Sequence, residues 1–316
     1  MNVIEKILKH EDLVATPPVL MDIGASGALH HKWKEIARHC ICVAFDADDR
    51  EMGFAERETD TFKKLVVFGK AVTDQPGNEI DFYLTKSPYC SSSLQPDIGK
   101  LRDWSFEELF HVEKKIILPA ISISEALRQA KISGVDWFKC DTQGTDLRLF
   151  KSLDPAIREK VLVAELEPGI LDAYLGEDKL GEVLQYMDKL GFFMSSMDVK
   201  GTQRITVDEV RTLSPNHQRA MAKCLIKSPG WAELCYLNTL RLGKFDRRAW
   251  MLAYMFSWIE GQYGFAIEIA NRAYATTGEA FFLELKDDGH KKIRNNNWSL
   301  PRVMLKKVAN KLLSYL

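Results

Sequence analysis

Along this chain, short apolar runs alternate with stretches of helical spacing. Val19-Leu20-Met21-Asp22-Ile23 is such a run, and it breaks into a glycine turn, Gly24-Ala25-Ser26-Gly27. Leu29, Trp33, Ile36, Ala37 and Cys40 then recur at helical spacing, which predicts a helix starting near Ala28. A second run, Ile41 to Phe45, closes on Asp46. This is the layout of the first βαβ unit of a doubly wound sheet. Further strands are predicted at Lys64 to Phe68, Glu79 to Leu84, Ile116 to Leu118, Val135 to Cys140 and Val161 to Glu165.

Helices are predicted between these runs. Asn2 to Leu13 is amphipathic and is stopped by Pro17-Pro18. Ser122-Ile123-Ser124-Glu125 has the form of a capping box, with a helix continuing to Ala130. Thr145 to Leu153 and Gly181 to Leu190 follow, while Ser87 to Lys100, with its Ser91-Ser92-Ser93 run, reads as a loop. Phe192 to Val199 and Trp231 to Leu237 suit a closing strand pair around a helical excursion. Strands alternating with helices imply an α/β fold with a mostly parallel sheet covered on both faces. Past Leu240 the pattern turns helical: an aromatic-rich hairpin from Asp246 to Ala275 breaks near Gly261, and Lys291 to Leu316 carries basic but no acidic residues. The expected domains are therefore residues 1–240 and a helical extension, 241–316.

Composition narrows the classes. The chain has 316 residues, 46% hydrophobic, and a net charge of −1, without the basic excess that attracts nucleic acid. No apolar run approaches the ~20 residues that span a bilayer. The start, Met1-Asn2-Val3-Ile4-Glu5-Lys6, lacks the basic and apolar regions of a secretory signal. Six cysteines show no Cys-x-x-Cys spacing, as expected of reduced thiols in a cytoplasmic protein.

The candidate chemistry gathers at the predicted strand ends. Gly24 and Gly27 let backbone pass close to a ligand, and Asp46 stands where an acid accepts bonds from ribose hydroxyls. Asp22 would repel a pyrophosphate but tolerate a cofactor with a cationic amino-acid head group, such as S-adenosylmethionine. Asp141 ends the predicted fourth strand of the main sheet and suits either an acceptor-orienting or general-base role, or a helix cap. Glu165 ends the next strand and faces the same cleft in this reading; two acids alone do not make a magnesium site, and no metal is expected. His30, beside His31 just past the glycine turn, is a third catalytic candidate.

The motifs resemble those of the FkbM family of S-adenosylmethionine-dependent methyltransferases. The resemblance spans about residues 17 to 170 and rests on Asp22-Ile23-Gly24-Ala25-Ser26-Gly27, Phe45-Asp46-Ala47 and, most specifically, Asp136-Trp137-Phe138-Lys139-Cys140-Asp141-Thr142-Gln143-Gly144-Thr145-Asp146. Gln143, Asp146 and Asp46 stand where the family usually has glutamates, and the first motif is shortened. The resemblance implies a class I methyltransferase-like Rossmann fold with a seven-stranded sheet. It also implies S-adenosylmethionine as cofactor, its methionine moiety bordered by Asp22 and Gly24, its ribose at Asp46 and its adenine edge at Ala71 to Asp74, with Ser26, Gly27, Ala71 and Val72 among the cofactor-binding residues.

The function expected from that resemblance is O-methylation of a hydroxyl on a sugar, glycan precursor or secondary metabolite. The partner is then a small-molecule or glycan acceptor. The basic C-terminal helix is compatible with a peripheral membrane contact, and the helical extension with a homo-oligomer contact. The rival readings are a nucleotide-sugar or NAD-dependent enzyme on the same scaffold, and a non-catalytic interaction module.

Overall fold

Seven of the apolar runs pair into one twisted sheet. The computed structural model describes residues 2–24, 30–45 and 61–295. The strands are β1 (Val19–Ile23), β2 (Ile41–Phe45), β3 (Lys64–Phe68), β4 (Ala71–Val72), β5 (Glu79–Thr85), β6 (Val112–Ile121), β7 (Trp137–Cys140), β8 (Val163–Leu166), β9 (Phe192–Thr202) and β10 (Ser228–Asn238). The main sheet has the order β3-β2-β1-β7-β8-β10-β9. Its first five strands run parallel, and β10 lies antiparallel to both β8 and β9. A smaller sheet orders β4-β6-β5. The chain is thus an α/β protein with a mostly parallel seven-stranded sheet and helices at its C-terminal end.

Alternation across the strands gives the sheet two different faces. Met21, Ile23, Phe138, Cys140, Ala164 and Leu166 belong to the principal core, together with Leu127, Leu147, Phe150, Val183 and Met187 of the helices Ile123–Ala130, Asp146–Ser152 and Leu180–Lys189. The residues that alternate with them, Asp22, Lys139 and Glu165, form a charged row on the opposite face. The first of the helices starts as its sequence predicts: Ser122 Oγ accepts the Glu125 N–H at 3.2 Å. Ser122→Ala should lower stability by about 1 kcal/mol, read as a lower urea midpoint at unchanged slope.

The structure corrects the expected helix near Ala28. Residues 25–29 lie outside the described part, and His31–Trp33 and Ala37–His39 are single 3₁₀ turns. Trp33, Ile36, Ala37 and Cys40 are nonetheless buried. Steps of three, from 33 to 36 and from 37 to 40, satisfy a 3₁₀ repeat as well as an α-helix, so burial was legible and helix type was not. The predicted N-terminal helix also divides, into Val3–Leu8 and Glu11–Ala15, where His10 Nδ1 accepts the Asp12 N–H at 3.3 Å. The predicted loop from Ser87 to Lys100 contains a 3₁₀ turn, Pro88–Cys90, and the start of a short helix, Ile98–Leu101. The closing strand pair is present and longer than predicted, with helices Val207–Thr212 and Pro215–Cys224 between its strands.

Two compact units emerge, Thr16–Lys244 and a second that joins Met1–Ala15 to Phe245–Leu316. In the second, the predicted hairpin is Arg247–Ile259 and Tyr263–Thr277, followed by Ala280–Asn295. Arg247 binds Asp12 through two bonds, of 2.5 and 2.7 Å, and Tyr254 Oη donates to the Leu285 carbonyl at 2.6 Å. Gly289 is where the last two helices touch, since a Cβ there would stand 2.6 Å from Ile267 Cγ1. Most of the predicted basic helix, 296–316, lies outside the described residues. No helix among the described residues is long and apolar enough to cross a membrane.

Candidate active site

The C-terminal ends of β1 and β7 meet in close contact. Gly24 ends β1 with φ +84°, and a Cβ there would lie 2.0 Å from the Asp141 carbonyl oxygen. Glycine is required on both counts, conformation and space. The Gly24 N–H donates to the Phe45 carbonyl at 3.1 Å and the Asp141 N–H to the Ile23 carbonyl at 2.9 Å, so three strand ends are tied together. A cavity of about 700 Å³ opens over this edge. Open α/β sheets bind ligands at this position.

Three acids gather beneath the cavity. Asp141 and Glu167 line it and are hydrogen-bonded to each other. Gln143, whose backbone takes a left-handed φ of 56°, donates from Nε2 to Asp141 Oδ1 at 2.7 Å. Burial raises the Asp141 carboxyl above its ordinary range, against the opposing pull of Lys139 and Gln143. Burial also pushes Glu167 up to about 9, and the charges of Asp141, Asp146 and Glu233 add to the rise. Both carboxyls thus hold a proton more readily than an exposed acid does.

Asp146 positions this pair from below without lining the cavity. Its Oδ1 accepts the Thr142 N–H at 3.0 Å and the Thr142 hydroxyl at 2.6 Å. Its Oδ2 accepts the Glu167 N–H at 2.7 Å. One buried carboxyl thus fastens the loops that follow both β7 and β8. Burial, with Asp141 nearby, raises it to about 6.

Small apolar surfaces and aromatic rings form the remaining described walls. Of the predicted adenine edge, Ala71 and Val72 line the cavity and Thr73 and Asp74 are not among the lining residues; Phe45 at the end of β2 lines it too. The serine run lies across from them. Ser92 Oγ donates to the Gln143 carbonyl at 2.8 Å, and Ser91 Oγ accepts the Thr85 N–H at 3.1 Å, so these two hydroxyls brace the loop. Tyr89, Phe82, Phe106 and Trp231 complete an aromatic margin. Among the described lining residues the cations are Lys70 and Lys200, and Lys200 is ion-paired to Glu233 at 3.3 Å and Asp198 at 2.8 Å. Asp141, Glu167, Glu177 and Glu233 leave the cavity acidic. Such a lining repels a pyrophosphate and accommodates a cation.

The other predicted residues are distributed differently. Asp22 is 2% exposed and ion-paired to Lys139 at 2.6 Å, on the sheet face away from the principal core. Burial opposes the Lys139 charge, yet Asp22, Asp141 and Glu165 raise its pKa above the ordinary lysine range. Glu165 accepts from Trp137 Nε1 at 2.7 Å and Lys32 Nζ at 3.2 Å, and lies 3.1 Å from His30 Nε2. Against the effect of burial, His30, Lys32 and Trp137 hold its carboxyl down at about 2. Asp22, Glu165 and His30 are not among the described residues lining the cavity, whereas Gly24, Asp141, Ala71 and Val72 are. Ser26, Gly27 and Asp46 lie outside the described residues. Lys139→Met should cost about 3–5 kcal/mol by stranding the buried Asp22 carboxylate. The unpaired acid would bind its proton more tightly folded than unfolded, so the variant should recover stability as pH falls, in urea melts from pH 8 to 4.

Residues 57–194 match the profile of the Methyltransferase FkbM domain. That stretch of the chain is similar to FkbM methyltransferase domains. No curated protein and no solved structure gives a significant match. The FkbM match takes in Ala71, Val72, Asp141, Gln143, Asp146, Glu165 and Glu167, and starts after β1 and β2. Gly24 enters this site from outside the matched stretch, through its contact with Asp141. Glu167 lies two residues beyond Glu165, the strand end that the sequence predicts. The strand ends at Leu166, so Glu167 is the first residue beyond the carboxyl edge.

Proposed function

We propose that the chain is an S-adenosylmethionine-dependent O-methyltransferase acting on a hydroxyl of a sugar, glycan precursor or secondary metabolite. The observation that carries this reading is the acid-lined cavity at the carboxyl edge of the sheet, built largely by the FkbM domain. Its donor set suits a sulfonium cofactor: carboxylates predominate, the lining around Ala71 and Val72 is small and apolar, and Gly24 leaves backbone uncovered beside Asp141. Ser26, Gly27 and Asp46 join the cofactor set through the family resemblance. When bound, S-adenosylmethionine supplies a methyl group on a sulfur that is already a good leaving group.

The protein's share of the work is alignment and proton handling. Asp141, fixed by Gln143 and by its backbone bond to β1, accepts a hydrogen bond from the acceptor hydroxyl. The aromatic margin formed by Tyr89, Phe106 and Trp231 excludes water and offers flat surfaces to a ring-shaped acceptor. No disulfide joins the described cysteines.

Calorimetric titration with S-adenosylhomocysteine, beside NADH and UDP-glucose, tests the cofactor class. Micromolar binding of the first alone, lost in Asp46→Ala, is the expected result. Binding of NADH or UDP-glucose instead, by a chain shown to be folded, would reverse the assignment.

A further inference from the structure

Two carboxyls meet in the cavity, yet methyl transfer to a hydroxyl requires one base. We propose that Glu167 is that base, with Asp141 as the carboxylate that orients the hydroxyl. This role rests on the methyltransferase reading above. The geometry disfavours two alternatives that the sequence put forward, Glu165 and His30. Glu165 is engaged by Trp137, Lys32 and His30 on the face of the sheet, and His30 Nε2 is engaged with Glu165 in turn. Glu167 lines the cavity beside Asp141, and its backbone is fixed through Asp146.

Its surroundings make Glu167 an unusually strong carboxylate base. Asp141 approaches from the end of β7, Asp146 from the following helix and Glu233 from β10; all three raise its proton affinity, after burial itself. Lys200 on β9 is paired with Glu233, Lys139 on β7 is paired with Asp22, and the Tyr174 hydroxyl is bonded to the Cys90 carbonyl at 2.9 Å. Glu177, also on the cavity wall, is bound by Lys179 at 3.0 Å. By contrast, a carboxyl held at about 2, as in Glu165, has little affinity for a proton at neutral pH.

The hydroxyl O–H bond breaks and its proton passes to the ionised Glu167 carboxylate. The oxygen gains a bond to the methyl carbon, and the electron pair of the broken carbon–sulfur bond remains on sulfur. The proton is then released to water. At neutral pH only a small fraction of Glu167 is ionised, so the reactive fraction grows as pH rises towards 9.

A sulfonium beside this base favours its ionised form, and a neutral thioether does not. The test therefore compares S-adenosylmethionine with S-adenosylhomocysteine, whose amino-acid and nucleoside parts are the same. Dissociation constants for both are measured by calorimetry on the full chain at pH 7 and pH 9.5, while infrared spectroscopy follows protonated carboxyl groups without ligand. In the wild type, the preference for the sulfonium should rise about tenfold between the two pH values, as for a one-unit pKa displacement. A protonated carboxyl should titrate near pH 9, disappear in Glu167→Gln, and titrate lower in Asp141→Asn. The preference should be flat with pH in Glu167→Gln.

Binding of both ligands with a flat wild-type preference, or no carboxyl titrating well above neutrality, would overturn the role and leave the cofactor assignment standing. Binding of neither by a folded chain would overturn that assignment, and the role with it. Should Glu167→Gln fail to fold, Glu233→Gln replaces it: removing that charge should lower the infrared titration, and an unchanged titration would count against the proposal.

Discussion

Asp141→Asn should lower methyl transfer by about 10²-fold, as expected when a reacting group loses its alignment, while affinity for S-adenosylhomocysteine changes little. The variant keeps the size of the side chain and its contact with Gln143, but loses the charge that accepts the acceptor's hydrogen bond. Stability should move the other way. The Asp141 carboxyl is raised by burial, so the folded chain binds its proton more tightly than the unfolded chain does. Ionisation at neutral pH therefore costs folding free energy, and that cost shrinks as pH falls. The amide carries no such cost. Its Tm should exceed that of the wild type at pH 7.5, and the gap should narrow towards pH 4. Transfer of radiolabelled methyl to an acceptor found by a glycoside screen, together with thermal melts at both pH values, checks both halves. Equal activity in the two proteins would remove Asp141 from the chemistry.

Gly24→Ala should be the most damaging small substitution in the sheet. A left-handed φ costs a non-glycine residue about 1–3 kcal/mol. Overlap with backbone that cannot rotate away adds about as much again. The Cβ would have to displace the Asp141 carbonyl from 2.0 Å, and with it the end of β7. A loss of about 2–5 kcal/mol in urea unfolding is expected. Affinity for S-adenosylhomocysteine should also fall, because the strand end carrying Asp141 moves. Gly176→Ala is the control: its φ is also positive, at +71°, but nothing stands within 4 Å of its added Cβ. It should lose only the conformational part.

Much of the fold was visible in the sequence because each apolar run is short, bounded and buried. β2 and β3 fall where their runs predict, and Asp141 stands at the strand end where its pattern put it. The capping box worked because its signal is local: one hydroxyl, three residues from its partner. What failed was non-local. Asp22 is paired with Lys139, 117 residues away, and no periodicity announces that pairing. Glu165 and Glu167 could not be told apart without the register of β8 against β7, which sets Glu165 opposite Lys139. The serine run was legible as a loop, while the tie from Ser92 to the Gln143 carbonyl needed the folded chain. The first of these strands was read together with a helix that the structure resolves as 3₁₀ turns, because a spacing of three belongs to both.

The Asp146 carboxyl, shared between Thr142 and Glu167, has a mechanical consequence. Both loops are referenced to one point on one helix, so a tilt of that helix carries Asp141 and Glu167 in the same direction. Displacements of this kind cancel in the distance between the two carboxyls, although each moves relative to the rest of the sheet. Vibration and small sequence changes around the helix are thereby filtered before they reach the quantity that matters for proton exchange.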